Sequence, residues 1–344
     1  MTGGKIWSTV VDYFLIMGAI VGVGFASGKE IGVFFFNFSG GSIFGILAFC
    51  LLYFYLFFIV QYLRKKLALN SYNEFNAFVF GKFCKLTNIV LVINFSITSA
   101  GMLAGADYLF SSFFNLPKIV VPVTLTAITF FLILGGIKRI KFTANLIVPI
   151  LIFVIIINSI KNININNVNL EITSKNIYMA VYFGLLFGVN NFVAAMPVLF
   201  ETKQKVASRC AVILSIGLII LLNVLVLSSN KVSTDMPMFE LSKNVSNSFY
   251  IIYFCALILA LFSTLVICSY NMQNIICKNK KSKFASLLIV LFNLILSNVG
   301  YSFIVQYLYV VSGIISGIYV LILIVLIIFK LVKIKFNKTK NNED

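Results

Sequence analysis

Three carboxylates of this 344-residue chain fall inside long apolar runs: Asp12, Glu30 and Asp107. A charge in such a run is costly in lipid and is usually retained for an ion path, a proton relay or a pair. Glu30 ends the stretch G-A-I-V-G-V-G-F-A-S-G-K-E, residues 18–30, where Gly22, Gly24, Ala26, Ser27 and Gly28 precede Lys29. Glycine costs about 1 kcal/mol relative to alanine inside a helix, so the cluster invites unwound backbone whose N–H and C=O groups can face a ligand. A second such place is F-G-V-N-N-F, residues 187–192, with Gly188, Asn190 and Asn191. There, too, glycine and asparagine favour non-helical backbone. Asp107 lies in helical register with Ser96, Ala100 and Ala104, a small-residue stripe along which another helix can approach. Lys29 is the expected partner of Asp107. Either Glu30 or Asp107 then carries a proton, or the charges form a fixed pair that locks two helices together. Asp12 reads as a gate-side or structural residue that either snorkels to the inner surface or pairs with a base such as Arg139.

Packing is the competing account of the glycines. Gly18/Gly22, Gly24/Gly28 and Gly313/Gly317 are spaced by four, as in close helix crossings. The stretch 22–30 differs from the others because a hydroxyl and two charges follow its glycines at once.

Other chemistries find little support. Histidine is absent, which removes imidazole acid–base catalysis and every His-containing metal site. The six cysteines form no C-x-x-C pair and read as reduced packing residues. No G-x-x-x-x-G-K-[ST] sequence occurs, so this chain does not drive itself with ATP. No cofactor and no enzymatic activity are expected. The formal net charge of +17 is read as basic cytoplasmic loops rather than a nucleic-acid surface.

The elements that must position these residues follow from hydropathy. The chain is 60% hydrophobic, 11% charged, with a mean hydropathy of +1.03. Such an excess of apolar residues suits a lipid bilayer and exceeds what one globule hides. An all-α integral membrane fold of about ten transmembrane helices is expected, because each crossing takes roughly 20 apolar residues. The spans are approximately 7–37, 41–63, 87–113, 118–136, 142–160, 175–200, 206–229, 249–276, 284–300 and 303–329. The first is too long for one straight crossing, so it is tilted or broken. With the amino terminus inside, the outer segments hold only Lys118, Lys161, Lys175, Lys231 and Lys243 of the 27 Lys and Arg. That asymmetry places both termini in the cytoplasm.

Ten spans divide into two five-helix repeats, 1–160 and 174–332, followed by a basic tail, 333–344. Repeats of odd length are inverted, so helices 1 and 6 correspond, and both carry the Gly or Gly/Asn interruption near mid-span. Paired interruptions of this kind point to a transporter binding site. Residues 70–80 read as a short helix on the inner face, 161–174 as a plain polar loop, and 231–247 as either a lid or a loop resting on headgroups.

Residues 18–30, with the phenylalanines at 34–36, resemble the YkvI-type bacterial membrane proteins, a branch of the amino acid–polyamine–organocation transporter group. The resemblance implies the LeuT-type 5+5 inverted repeat with interrupted helices 1 and 6. It implies a substrate carboxylate held by backbone N–H groups at Gly22, Gly24, Ala26 and Ser27. It also implies a sodium ion between the carbonyls of Gly18 and Val21 and the hydroxyls of Ser263 and Thr264. Against the sodium site stands the ordinary habit of Ser and Thr to bond back within a membrane helix.

The resulting expectation is a secondary active transporter in the plasma membrane. It takes a small organic solute, an amino acid or related amine, coupled to sodium or protons. A non-transporting ligand receptor on the same fold is the alternative. A channel would need rings of charged residues, which the sequence lacks.

Overall fold

A computed structural model describes residues 2–114, 117–135, 137–168, 172–202, 206–230, 232, 234–277 and 282–340. Among them there is no strand. The chain begins with α1 (Thr2–Ile20), α2 (Val23–Ala26) and α3 (Lys29–Phe34), followed by a 3-10 segment, Phe36–Gly41. Then come α4 (Ser42–Lys66), α5 (Tyr72–Phe80), α6 (Cys84–Phe114), α7 (Val120–Gly135) and α8 (Ile137–Asn162). The second half contains α9 (Ser174–Glu201), α10 (Val206–Asn230), α11 (Pro237–Ser242), α12 (Asn247–Cys277) and α13 (Lys283–Ser297). The last helix starts as α14 (Tyr301–Phe303), passes through a π segment, Ile304–Leu308, and runs on as α15 (Tyr309–Lys340).

Among the described residues, six helices are long and apolar enough to cross a membrane, and four shorter apolar helices accompany them: Thr9–Ile20, Val120–Gly135, Leu146–Asn162 and Lys283–Ser297. The outside of the bundle is apolar, with Leu51, Phe131, Ile295 and Phe329 among its exposed side chains. The inside carries asparagines and hydroxyls, among them Asn94, Asn158, Asn190, Asn223 and Ser316. That inversion suits lipid outside and hydrogen-bonded polar contacts within.

Local signals fix the helix ends. Ser71 accepts from the Glu74 N–H at 3.2 Å while the Glu74 carboxylate accepts from the Asn70 N–H at 2.8 Å, so the start of α5 is capped by its own sequence. Arg64, in the last turn of α4, donates to the carbonyls of Leu199, Phe200 and Thr202 at 2.7–3.0 Å. Those carbonyls lie at and just past the C-terminal end of α9, where backbone N–H donors of the helix run out. Helices α4 and α9 cross at contact distance. A Cβ on Gly45 would lie 2.5 Å from the Ala180 carbonyl oxygen, and one on Gly184 only 2.9 Å from Gly45 Cα. Here the packing account of glycine holds.

The first span is broken rather than tilted. It leaves the helix at Val21–Gly22 and again at Ser27–Gly28. The expected interruption of helix 6 is absent, because α9 runs unbroken through residues 187–192. Its asparagines are satisfied sideways and backwards instead. Asn190 Oδ1 accepts from Asn94 Nδ2 at 2.6 Å and from Ser312 Oγ at 3.0 Å, and Asn191 Nδ2 donates to the Phe187 carbonyl at 3.0 Å. Partners on neighbouring helices spare the backbone ladder of α9. Of residues 161–174, expected as a loop, 161–162 end α8 and 174 starts α9; between them the chain makes one 3-10 turn, Ile165–Asn167, and residues 169–171 lie outside the described residues. The basic tail begins as helix, since α15 continues to Lys340, and 341–344 lie outside the description.

Candidate functional site

The double break in the first span is held by specific bonds. After Ile20 the Gly22 N–H turns back to the Ile20 carbonyl at 3.1 Å, and α2 then rises for a single turn. Gly28 ends that turn in the left-handed region, at φ +82°, where a side chain is strained; a Cβ there would also lie 2.7 Å from Met238 Cγ. The carbonyls released at the break find donors from elsewhere. Tyr253 on α12 donates its hydroxyl to the Ala26 carbonyl at 2.7 Å, and the Met238 N–H donates to the Ser27 carbonyl at 2.9 Å. The Ser27 and Tyr301 hydroxyls are hydrogen-bonded at 2.9 Å.

Met238 belongs to α11, whose Pro237, Met238, Phe239, Leu241 and Ser242 are all buried. Asn158 on α8 donates to the Met238 carbonyl at 2.8 Å, pinning the other side of that segment. The segment 234–242 is therefore a strap laid over the break, which favours the lid over the headgroup-resting loop. Two cavities flank it. One, of about 760 Å³, reaches Lys29, Phe36, Phe183 and Tyr307; the other, of about 450 Å³, reaches Asp107, Lys118, Asp235 and Tyr301.

A small cavity of about 20 Å³ lies at the first break. Gly22, Glu30, Asn190, Asn191, Thr264 and Tyr309 are among the residues lining it. Glu30, 6% exposed, folds back over Gly24, and a Cβ on Gly24 would fall on its carboxylate and lie 2.6 Å from its Cγ. Thr264 Oγ1 lies over Gly22, and both Thr264 and Tyr309 have buried hydroxyls with no hydrogen-bond partner. Phe187 closes the cavity from α9. Its ring packs against Phe34, Phe35 and Phe49 with centroids 5.2–5.5 Å apart.

The sequence-expected residues are thus divided. Gly22, Glu30, Asn190, Asn191 and Thr264 meet at one cavity, and Gly24 adjoins it under Glu30. Ala26 and Ser27 sit above, engaged by Tyr253, Met238 and Tyr301. Gly188 does not reach the cavity; it packs against Leu52 and Phe49 of α4. Gly18 and Val21 are buried, and Ser263 donates back to its own helix, to the Ala260 carbonyl at 3.0 Å.

The Lys29–Asp107 pair is not formed. Lys29 Nζ donates to Asp235 Oδ1 at 2.7 Å, and Asp107 accepts from the Ile119 N–H at 3.0 Å, which caps the start of α7. Matching depth along two helices gave Asp107 the right height, but a nearer carboxylate on the strap took the lysine. Asp12 is buried within electrostatic reach of Arg64 and Arg209, whereas the Arg139 side chain lies outside the described residues.

Sequence reasoning missed Asp235, Tyr301, Tyr309 and the trio Asn94, Ser312 and Ser316. Ser312 and Ser316 stand four apart and both donate to Asn190 Oδ1, so their spacing was a usable signal. Asp235 lies in a loop, and nothing in its sequence context marks the lysine it holds.

No family model matches this chain. It is 25% identical over 324 residues to the uncharacterized membrane protein YkvI of Bacillus subtilis (strain 168), covering 88% of this chain and 91% of that protein. Among solved structures, a Na+-coupled sialic acid symporter in a substrate-bound outward-open state matches with a TM-score of 0.63 at 12% identity, covering 93% of this chain and 80% of that one. Mhp1, a nucleobase–cation–symport-1 family transporter in a closed conformation with bromovinylhydantoin bound, gives 0.58 at 16% identity, covering 84% and 70%. The manganese transporter of Eremococcus coleocola gives 0.55 at 13% identity, covering 95% and 80%. Along nearly its whole length, then, the chain is similar to the membrane protein YkvI, and its fold is that of the LeuT-type transporters.

Proposed function

We propose that this protein is a secondary active transporter of a small organic solute, an amino acid or related amine, coupled to sodium or protons. The observation that carries the reading is the small cavity at the first break of the first span, with the strap bonded at the second break. Unwound backbone at mid-helix is tolerated where it lines such a cavity, and transport by rocking needs a site between two bodies. Helices α1, α4, α9 and α10 pack on one another, while α6, α12 and α13 form a second packed group joined by α8. The cavity lies between these groups, with lining residues from both.

The six long and four shorter apolar helices are read as ten spans, as two inverted halves, 1–160 and 174–332, with both termini and the basic tail 333–344 in the cytoplasm of a plasma-membrane protein. Among the described residues, the first span carries the break and α9 does not. The solute would contact Gly22, Gly24, Asn190 and Asn191, with Ala26 and Ser27 above. A sodium ion would take Thr264 with the carbonyls of Gly18 and Val21, and would require Ser263 to turn away from Ala260. Protons would be carried by Glu30, and Asp107 would shape the outer cavity. The likeness to a Na+-coupled symporter supports ion coupling.

The test is counterflow of labelled amino acids and amines in proteoliposomes, under imposed sodium or pH gradients. Gradient-dependent accumulation of one compound supports the reading. A compound that raises the melting temperature yet shows no counterflow under any gradient would make the protein a receptor on this fold.

A further inference from the structure

We infer that Asn190 meets the solute with the amino end of its amide, so the part of the solute facing α9 is an oxygen acceptor, a carboxylate or a carboxamide. Asn94, Ser312 and Ser316 are the positioning residues that hold the amide in this sense. The inference narrows the solute chemistry of the transporter reading and rests on that reading for transport, but binding itself is tested separately.

An asparagine amide offers a donor end and an acceptor end of nearly the same shape, so its neighbours decide which one a ligand meets. At Asn190 three side chains take the acceptor. Asn94 Nδ2 on α6 donates to Oδ1 at 2.6 Å, and Ser312 Oγ and Ser316 Oγ on α15 lie 3.0 and 3.4 Å from the same oxygen. A carbonyl oxygen has two lone pairs, so this one has no capacity left for a ligand. Asn190 Nδ2 makes no hydrogen bond to a described residue, and Asn190 lines the cavity at the first break. With Oδ1 committed to α6 and α15, Nδ2 is the end left for that cavity.

The opposite setting is disfavoured by what it would leave over. Asn94 Nδ2 is shared between Asn190 Oδ1 and Ser316 Oγ, the latter at 3.0 Å, and Asn94 Oδ1 is buried without a partner. Turning both amides over would exchange this idle oxygen for a buried amino group with no acceptor, and orphaned donors are rarer than under-used carbonyls. Asn191, next along α9, is set the other way. Its Nδ2 donates back to the Phe187 carbonyl at 3.0 Å, which leaves its oxygen over. The polarity at position 190 thus comes from the residues around it and not from the residue type.

No lysine or arginine lines the cavity, so no side-chain cation competes with Asn190 for an acceptor oxygen there. A solute carboxylate would share the space with Glu30 and needs that residue to carry a proton, because two like charges in one dry cavity oppose each other. A carboxamide has no such requirement. Both present the same oxygen to Asn190, and the probes below tell them apart.

The experiment uses the full-length purified protein in detergent. Melting temperature is followed against the concentration of alanine, serine, leucine and lysine, each beside its carboxamide and its decarboxylated amine. At least one amino acid or carboxamide should stabilise the protein, and the matching amine should need about tenfold more for the same effect. The acid against the carboxamide identifies the source of the oxygen. Asn190→Asp keeps an acceptor for Asn94 and the two serines but puts oxygen in place of Nδ2. It should weaken the acid and the carboxamide about tenfold and leave the amine no weaker. Asn94→Asp has no N–H to give; its carboxylate should accept from Asn190 Nδ2 and turn that amide over, so the preference for acid or carboxamide over amine should be lost. Ser312→Ala combined with Ser316→Ala should lower the same preference without reversing it. A merely structural network would lower the melting temperature of the unliganded protein and leave the preference unchanged. The inference is overturned if an amine stabilises as well as its acid and carboxamide. It is also overturned if Asn190→Asp keeps the parent preference, or, should either aspartate variant not fold, if the double serine variant keeps it. Silence of every compound would overturn it together with the amino acid class of the solute. Binding of an acid or carboxamide without counterflow would sink the transport reading alone, and counterflow of an amine but not of its acid or carboxamide would sink the inference alone.

Discussion

Lys29 Nζ stands 2.7 Å from Asp235 Oδ1, and the same oxygen accepts the Ser302 hydroxyl at 2.6 Å. One carboxylate thus ties the segment after the break, the strap and the start of the last helix together at one end of the molecule.

Asp235→Asn should loosen this tie. Burial works to raise the Asp235 carboxyl, but the hydrogen bonds from Lys29 and Ser302 outweigh it and hold it below the usual aspartate value. A depressed carboxyl contributes its stabilisation above its unfolded value, about 3.9, and loses it as the pH falls through the folded value. The tie should therefore be intact at neutral pH and fail only below about pH 4. The pair is part-exposed, so its contribution is about 0–1 kcal/mol. A single cysteine at Tyr307, in a background without native cysteines, should react with an impermeant thiol reagent up to about fivefold faster in Asp235→Asn. Lys29→Met should give the same increase, and the double variant no more. Additive increases would show that the two residues act separately.

Gly24 and Gly313 are both helix-breaker residues in apolar sequence, yet their substitutions should differ. Alanine at 24 collides with the Glu30 carboxylate, whereas a Cβ at 313 meets nothing nearer than the Leu186 carbonyl at 3.4 Å. Gly24→Ala should lower the melting temperature and abolish ligand-induced stabilisation; Gly313→Ala should change neither by much. Adding Glu30→Ala to Gly24→Ala should recover thermal stability without recovering ligand response. Equal behaviour of the two single variants would remove the special role of the break.

Gly184→Ala should be among the most damaging single-methyl changes in the chain. The new Cβ meets Gly45 backbone, which cannot swing aside as a flexible side chain can. A loss of about 1–3 kcal/mol is expected, read as reduced yield and melting temperature. Gly32→Ala is the comparison, since a Cβ there has nothing within 4 Å.

Orientation is tested by placing cysteines at the exposed positions Asn244 and Lys66. In intact cells the first should be labelled by an impermeant reagent and the second should not. Labelling of Lys66 alone would invert the assignment, and labelling of both would break the ten-span count.

The periodic and compositional features were legible in the chain itself. Long apolar runs separated by basic clusters specify helices, because a backbone in lipid must satisfy its own hydrogen bonds. The cluster Gly22–Gly24–Gly28 marked the first span as tilted or broken, because glycine's freedom and helix penalty act locally. The capped start of α5 is equally local, a Ser and a Glu three apart.

What depended on neighbours was decided only in three dimensions. Gly188–Asn190–Asn191 carries the same local signal as the first break, yet α9 stays helical because Asn94 and Ser312 arrive from distant segments to bond Asn190. Lys29 had carboxylates to choose from, and the strap brought Asp235, 206 positions away, closer than Asp107. Glu30 was visible as an intramembrane acid, but its surroundings follow from packing: Gly24 makes room for it, Phe187 lines the same cavity, and no lysine or arginine lines that cavity. Local free energies set where a chain bends or coils, while the partner of a buried polar group is set by whichever chain the fold brings within about 3 Å of it.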